Sequence, residues 1–146
     1  MTTSIHRRVD ALRAGRDLAF VARLASGWAV LGERQVLPGY CLLLPDPVVP
    51  TLNALTGAER AAFLADMAAL GDAVLSVTRA VRINYAIFGN LDPALHAHVI
   101  PRYHDEPEGL RTAQPWAYDW QAAPAFDPEL HRDLQGRIHA ALGHAT

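Results

Sequence analysis

The chain has 146 residues, 51% of them hydrophobic and 19% charged, which suffices for one globular domain with its own core and no need of metals or disulfides to hold it. A net charge of −2 argues against a protein built to coat nucleic acid, which carries a basic face. Cys41 is the only cysteine and cannot close a disulfide within the chain; the amino terminus lacks the apolar core of a signal peptide and no apolar run approaches a membrane span, so a cytoplasmic protein is expected.

Ser4 is placed to cap a short helix in which Ile5, Val9 and Leu12 recur at helical spacing and which Gly15 ends. Its polar face, with His6, Arg7, Arg8, Asp10 and Arg13, reads first as a solvated surface and second as a phosphate contact. Phe20 to Leu24 and Trp28 to Leu31 form paired strands about a Ser26-Gly27 turn. Pro38-Gly39 then leads into the apolar run Tyr40 to Leu44, of the kind that fills a central strand, and Pro45-Asp46-Pro47 stops it. Thr56-Gly57-Ala58-Glu59 has the form of a capping box. Behind it Phe63, Leu64, Met67, Leu70, Val74 and Val77 mark the apolar stripe of a long helix running from Gly57 to about Ala80, which is core packing and carries no chemistry.

Arg82 to Phe88 is rich in strand formers and precedes a short turn and a second extended segment, so the two are antiparallel neighbours. That second segment is Leu95-His96-Ala97-His98-Val99-Ile100-Pro101-Arg102. Alternation along a strand puts His96 and His98 side by side on one face, near a loop mouth, and Pro101 keeps the strand short. After it, Trp116, Tyr118 and Trp120 stand at alternate positions in an extended arm. They read as core or dimer packing first and as a platform for a base second. Asp127-Pro128 starts a last helix with Leu130, Leu134, Ile138 and Leu142 on one face, ending at Gly143.

The segment from Gly89 to Tyr103 resembles the signature of the histidine-triad (HIT) family of nucleotide hydrolases and transferases, His-φ-His-φ-His-φ-φ running into an apolar-Pro-Arg end. His96 takes the place of the middle histidine and His98 of the last, while Ala94 stands where the first should be. The stretch Val36 to Pro45 resembles the family's strand-turn-strand, with Tyr40 where many members carry a further histidine. The likeness spans about residues 20 to 103, with residues 104 to 146 as an aromatic arm and helix, all within a single domain 1–146.

What the resemblance implies is an α+β fold: an antiparallel sheet of about five strands, one long helix packed on it, and helices at the two ends. It implies a nucleotide phosphohydrolase of the diadenosine tetraphosphate hydrolase type, cleaving at the α-phosphate of a dinucleoside polyphosphate or a nucleoside phosphoramidate. His96 would be the nucleophile and His98 the hydrogen-bond donor to a phosphate oxygen. Asn90 would orient the leaving phosphate, and Arg102 would touch phosphate or pair with a carboxylate of its own fold. An imidazole suits this role because its pKa lies near ambient pH, and a neighbouring histidine can serve as its protonated partner. The implied partners are a purine nucleotide and a second copy of the chain in a two-fold dimer through the long helix and a sheet edge. No cofactor is required, and assistance by a divalent cation stays open. The missing first histidine normally fixes the nucleophile's tautomer; a backbone carbonyl near the turn could replace it, and without a replacement the chain would bind nucleotides and turn them over poorly. A His-x-His metal site, with His104 or a carboxylate as third ligand, is the remaining alternative.

Overall fold

Five extended segments pair into one antiparallel sheet, seen in a computed structural model that describes residues 2–143. The strands are β1 (Phe20–Arg23), β2 (Gly27–Leu31), β3 (Cys41–Pro45), β4 (Arg82–Ala86) and β5 (Ala97–Arg102), in the order β1-β2-β3-β5-β4. The last strand in sequence therefore inserts inside the sheet, where His98 lies opposite Leu42 on one side and Ala86 on the other. Helices α1 (Ser4–Arg13), α2 (Gly57–Val77), α3 (Glu108–Arg111) and α4 (Pro128–Gly143) complete the α+β architecture expected from the sequence. The long helix α2 packs on β3 and β5, and α4 packs on α2 and β1.

Strand alternation divides β5 between two environments. Ala97, Val99 and Pro101 share the face that meets the helices, and Val74 of α2 and Pro101 both come close to Gly39. His98 shares the other face with Leu42, and α1 walls that side. Phe63, Leu70 and Val74 of α2, Leu43 of β3, Val99 of β5 and Ile138 of α4 are all fully buried. Removing each such side chain from water contributes roughly 1.5–3 kcal/mol. Gly39 adopts a positive φ of 98° in the turn that feeds β3, a conformation that a side chain would disfavour.

The structure corrects several local expectations. Thr3, not Ser4, caps α1: its hydroxyl accepts from the His6 amide while the His6 ring accepts from the Thr3 amide, a reciprocal pair that Ser4, one residue too late, cannot make. Thr56 has the extended backbone of an N-cap, but its hydroxyl makes no cap bond. The helix α2 stops at Val77 because Thr78 turns extended and bonds the Val74 carbonyl through both its amide and its hydroxyl. Leu64 lies off the buried stripe, and in α4 His131 is buried where Leu130 was expected. The expected end of α4 at Gly143 meets the limit of the described residues, so 144–146 lie outside them.

Pro101 continues β5 rather than ending it, opposite Ile83. The Arg102 carbonyl accepts from Val81 on the β4 side, so alternation turns the Pro101 nitrogen toward β3, beyond the last β3 pair at Val99. No ladder bond is lost there.

Candidate active site

His96 sits just before β5, and its placement begins with buried backbone. Ala94 and Leu95 are buried, and the Leu95 amide donates to the Val49 carbonyl at 2.8 Å. The chain is thereby turned so that His96 Nδ1 donates to the Ala94 carbonyl at 2.7 Å. With Nδ1 carrying the proton, Nε2 keeps its lone pair. The residue that lacks an imidazole thus supplies, through its backbone, the tautomer control that a side chain would otherwise provide.

His98 follows on the same face, its ring 5.1 Å from that of His96. The Tyr40 hydroxyl lies 2.7 Å from His98 Nδ1, and the two rings are stacked at an interplanar angle of 13°. Burial raises the Tyr40 pKa well above the ordinary tyrosine value, so Tyr40 is the donor and His98 Nδ1 the acceptor. The His98 proton then resides on Nε2. Burial, and next the neighbouring His96, lower the His98 pKa to about 4. His98 is therefore a neutral donor at neutral pH, not the protonated partner expected from the sequence.

Tyr40 owes its position to the loop before it. Gln35, buried, donates to the carbonyls of Gly32 and Tyr40 at 2.9 Å each and accepts from the Gly39 amide at 3.0 Å. A Cβ on Gly32 would stand 2.1 Å from the Tyr40 ring, so only glycine leaves room for it. The aromatic arm closes the other sides. Trp116 lies 5.2 Å from His98 and 5.0 Å from Trp120, Trp120 meets Tyr40 edge-on at 5.2 Å, and Phe88 lies 6.1 Å from His98. Two of the three aromatics at alternate positions thus surround the site. The third, Tyr118, donates instead to Glu106 at 2.6 Å.

Arg102 is absorbed by the fold. Its guanidinium bonds Glu106, the Asn84 side chain and the carbonyls of Leu110, Arg111 and Ala113, so every donor is engaged internally, and its side chain is buried. Of the two roles weighed for it, the pair with a carboxylate is the one found. Asn90 is exposed in the turn after β4, while the next two residues, Leu91 and Asp92, line the cleft. Asp92 accepts from the Ser4 hydroxyl at the start of α1; burial pushes its carboxyl up, and such hydrogen bonds outweigh that effect to leave its pKa below the ordinary value.

The resulting cleft measures about 1000 Å³, at the upper end of the range for small-molecule sites, and holds His96, His98, Tyr40 and Trp120 together with arginines of α1 and its flanking loops. Among the described residues no three His, Cys, Asp or Glu side chains come together as a metal-binding group. His104, the third ligand of the metal alternative, lines a different pocket beside Pro38, Thr78 and Arg79. No helix among the described residues is long and apolar enough to cross a membrane.

Two imidazoles thus face one cleft, His96 from just before β5 and His98 from within it, each with Nδ1 hydrogen-bonded. Residues 20–105 match the model of the HIT domain, and the chain belongs to that family. Among solved structures it is similar to a histidine triad protein from Sinorhizobium meliloti 1021, at 24% identity, covering 89% of this chain and 93% of that one with a TM-score of 0.73. A histidine triad protein from Marinobacter aquaeolei VT8 is covered over the whole of both chains at 17% identity and a TM-score of 0.76. A hypothetical histidine triad nucleotide-binding protein from Sulfolobus tokodaii strain 7 gives 16% identity, 93% and 91% coverage and a TM-score of 0.72. No curated protein matches the sequence. Tyr40 was visible in the sequence only as a departure from the family pattern, and Asp92, Arg16 and Arg34 gave no local sign of facing the cleft.

Proposed function

We propose that the protein is a nucleotide phosphohydrolase acting at an α-phosphate through a nucleotidyl-histidine intermediate. The observation that carries this reading is the 2.7 Å bond from His96 Nδ1 to the Ala94 carbonyl, which leaves Nε2 as a nucleophile despite the missing first histidine. Nε2 bonds to the α-phosphorus as the bond to the leaving oxygen or nitrogen breaks and its electron pair departs with that atom: a polyphosphate leaves as its anion, and an amine takes up a proton from solvent. His98 Nε2–H donates to a non-bridging phosphate oxygen whose charge grows in the transition state. Water then attacks phosphorus as the Nε2–phosphorus bond breaks, its electron pair returning to Nε2 and the water's surplus proton passing to solvent, which leaves the nucleoside monophosphate and neutral His96. Trp116 and Trp120 supply flat apolar surface for a base beside His98. Asn90 orients the leaving phosphate from the turn. Arg102 acts from a distance, by fixing the segment that bears Tyr118.

The test is intact-protein mass spectrometry within seconds of mixing with diadenosine tetraphosphate or adenosine phosphoramidate, wild type beside His96→Ala. The expected result is AMP release and a transient adenylyl adduct on the wild type alone. AMP binding without product or adduct would favour the second reading, a nucleotide-binding protein without catalysis, for which the buried Ala94 in place of an imidazole is the specific observation.

A further inference from the structure

Arginines crowd the His96 cleft, and their pairing sorts them into two groups. Arg8 spends its guanidinium on Asp17 at 2.9 Å and on the Leu31 carbonyl at 3.0 Å, pinning α1 to the sheet. Arg13, farther along α1, pairs with Asp46 and does not line the cleft. Arg7 from α1, Arg16 from the turn after it and Arg34 from the β2–β3 connection do line the cleft. Among the described residues none of these three has a carboxylate within ion-pair distance. Arg34 makes a single bond to the Ala123 carbonyl at 3.1 Å, and Arg7 and Arg16 are exposed.

Three acidic residues share the cleft: Asp17 is paired with Arg8, Asp92 accepts from the Ser4 hydroxyl and keeps its negative charge, and Glu33 is exposed at the rim. Among the described residues neither Asp92 nor Glu33 lies within ion-pair distance of an arginine. Three guanidiniums without a carboxylate partner therefore line the cavity that holds His96, in a chain whose net charge is −2. Guanidiniums match phosphate oxygens with paired donors, and a polyphosphate can engage several at once.

We propose that Arg7, Arg16 and Arg34 form an anion subsite for the polyphosphate chain of the leaving group, so that the site favours substrates whose leaving group is itself a phosphate chain over phosphoramidates. This rests on the nucleotide reading given above. An amine leaving group carries no charge for such a subsite to hold. A polyphosphate gains negative charge on the departing oxygen as the bond to the α-phosphorus breaks, so the subsite holds the transition state more tightly than the ground state.

The experiment is titration calorimetry of the full chain with inorganic tripolyphosphate and, separately, with AMP, for wild type and the triple variant Arg7→Gln/Arg16→Gln/Arg34→Gln. Wild type binds tripolyphosphate, and more weakly as salt is raised. The triple variant, at an unchanged melting temperature, loses affinity for tripolyphosphate by about tenfold more than for AMP. Wild type that fails to bind tripolyphosphate, or a triple variant that loses both ligands equally, overturns the subsite. AMP binding without tripolyphosphate binding sinks the subsite and leaves the nucleotide reading standing. Tripolyphosphate binding lost in the triple variant, with no AMP binding at all, sinks the nucleotide reading and leaves the subsite.

Discussion

Restoring the first histidine tests how His96, the proposed nucleophile, is oriented. Because the Ala94 carbonyl already bonds His96 Nδ1, Ala94→His is expected to leave turnover near that of the wild type. The Ala94 side chain is completely buried, so the added ring costs about 1–3 kcal/mol of stability, measured by denaturant unfolding. A clear rise in kcat would mean that the carbonyl is an inadequate substitute. Tyr40→Phe removes one hydroxyl and keeps the ring. Losing about 1 kcal/mol of orientation at His98 slows turnover roughly fivefold, and unchanged kinetics would remove Tyr40 from the site. His98 also marks a pH dependence. Its folded pKa is about 4 against roughly 6.5 for a free imidazole, so the unfolded chain binds the proton more readily between those values. Its share of stability is complete above about pH 6.5 and is lost as pH falls toward 4. Melting temperatures across that range are expected to fall less steeply for His98→Asn than for the wild type.

Among the helices, α2 separates what periodicity suggests from what packing uses. Leu64 and Leu70 lie on one predicted stripe, yet Leu70 is fully buried and Leu64 is 37% exposed. Leu70→Ala is expected to cost about 2–5 kcal/mol and Leu64→Ala less than about 1, by chemical denaturation. The segment after β5 depends on a buried ion pair, since Glu106 receives Arg102 and Tyr118 together and accepts from the Tyr103 amide at 2.6 Å. Glu106→Gln leaves the Arg102 charge without its counter-ion and destabilises by about 3–5 kcal/mol. Because the same segment carries Trp116 and Trp120 to His98, a weaker affinity for AMP is expected to accompany the lost stability.

For the whole molecule, the sheet order leaves β4 as an edge. Val81 and Tyr85 are exposed on and beside it, as are Leu64 and Leu75 on α2, apolar surface of the kind two-fold pairing covers. A dimer through these elements, the assembly implied by the family resemblance, predicts a species of twice the chain mass in sedimentation velocity and its conversion to monomer by Tyr85→Arg. A wild-type monomer at micromolar concentration would remove that assembly.

Local patterns were enough to place His96 and His98 side by side, to find the long helix and most of the strands, and to carry the likeness to the family, because strand and helix periodicities depend only on neighbours along the chain. The chemistry of the two imidazoles was decided elsewhere. Tyr40 reaches His98 from 58 positions away, Arg102 takes the carboxylate pairing rather than the phosphate contact through residues on two other segments, and the arginines of α1 divide according to carboxylates brought near only by folding. Such partners are set by which strands insert between which and by what burial requires to be paired, and no stretch of sequence contains that information alone.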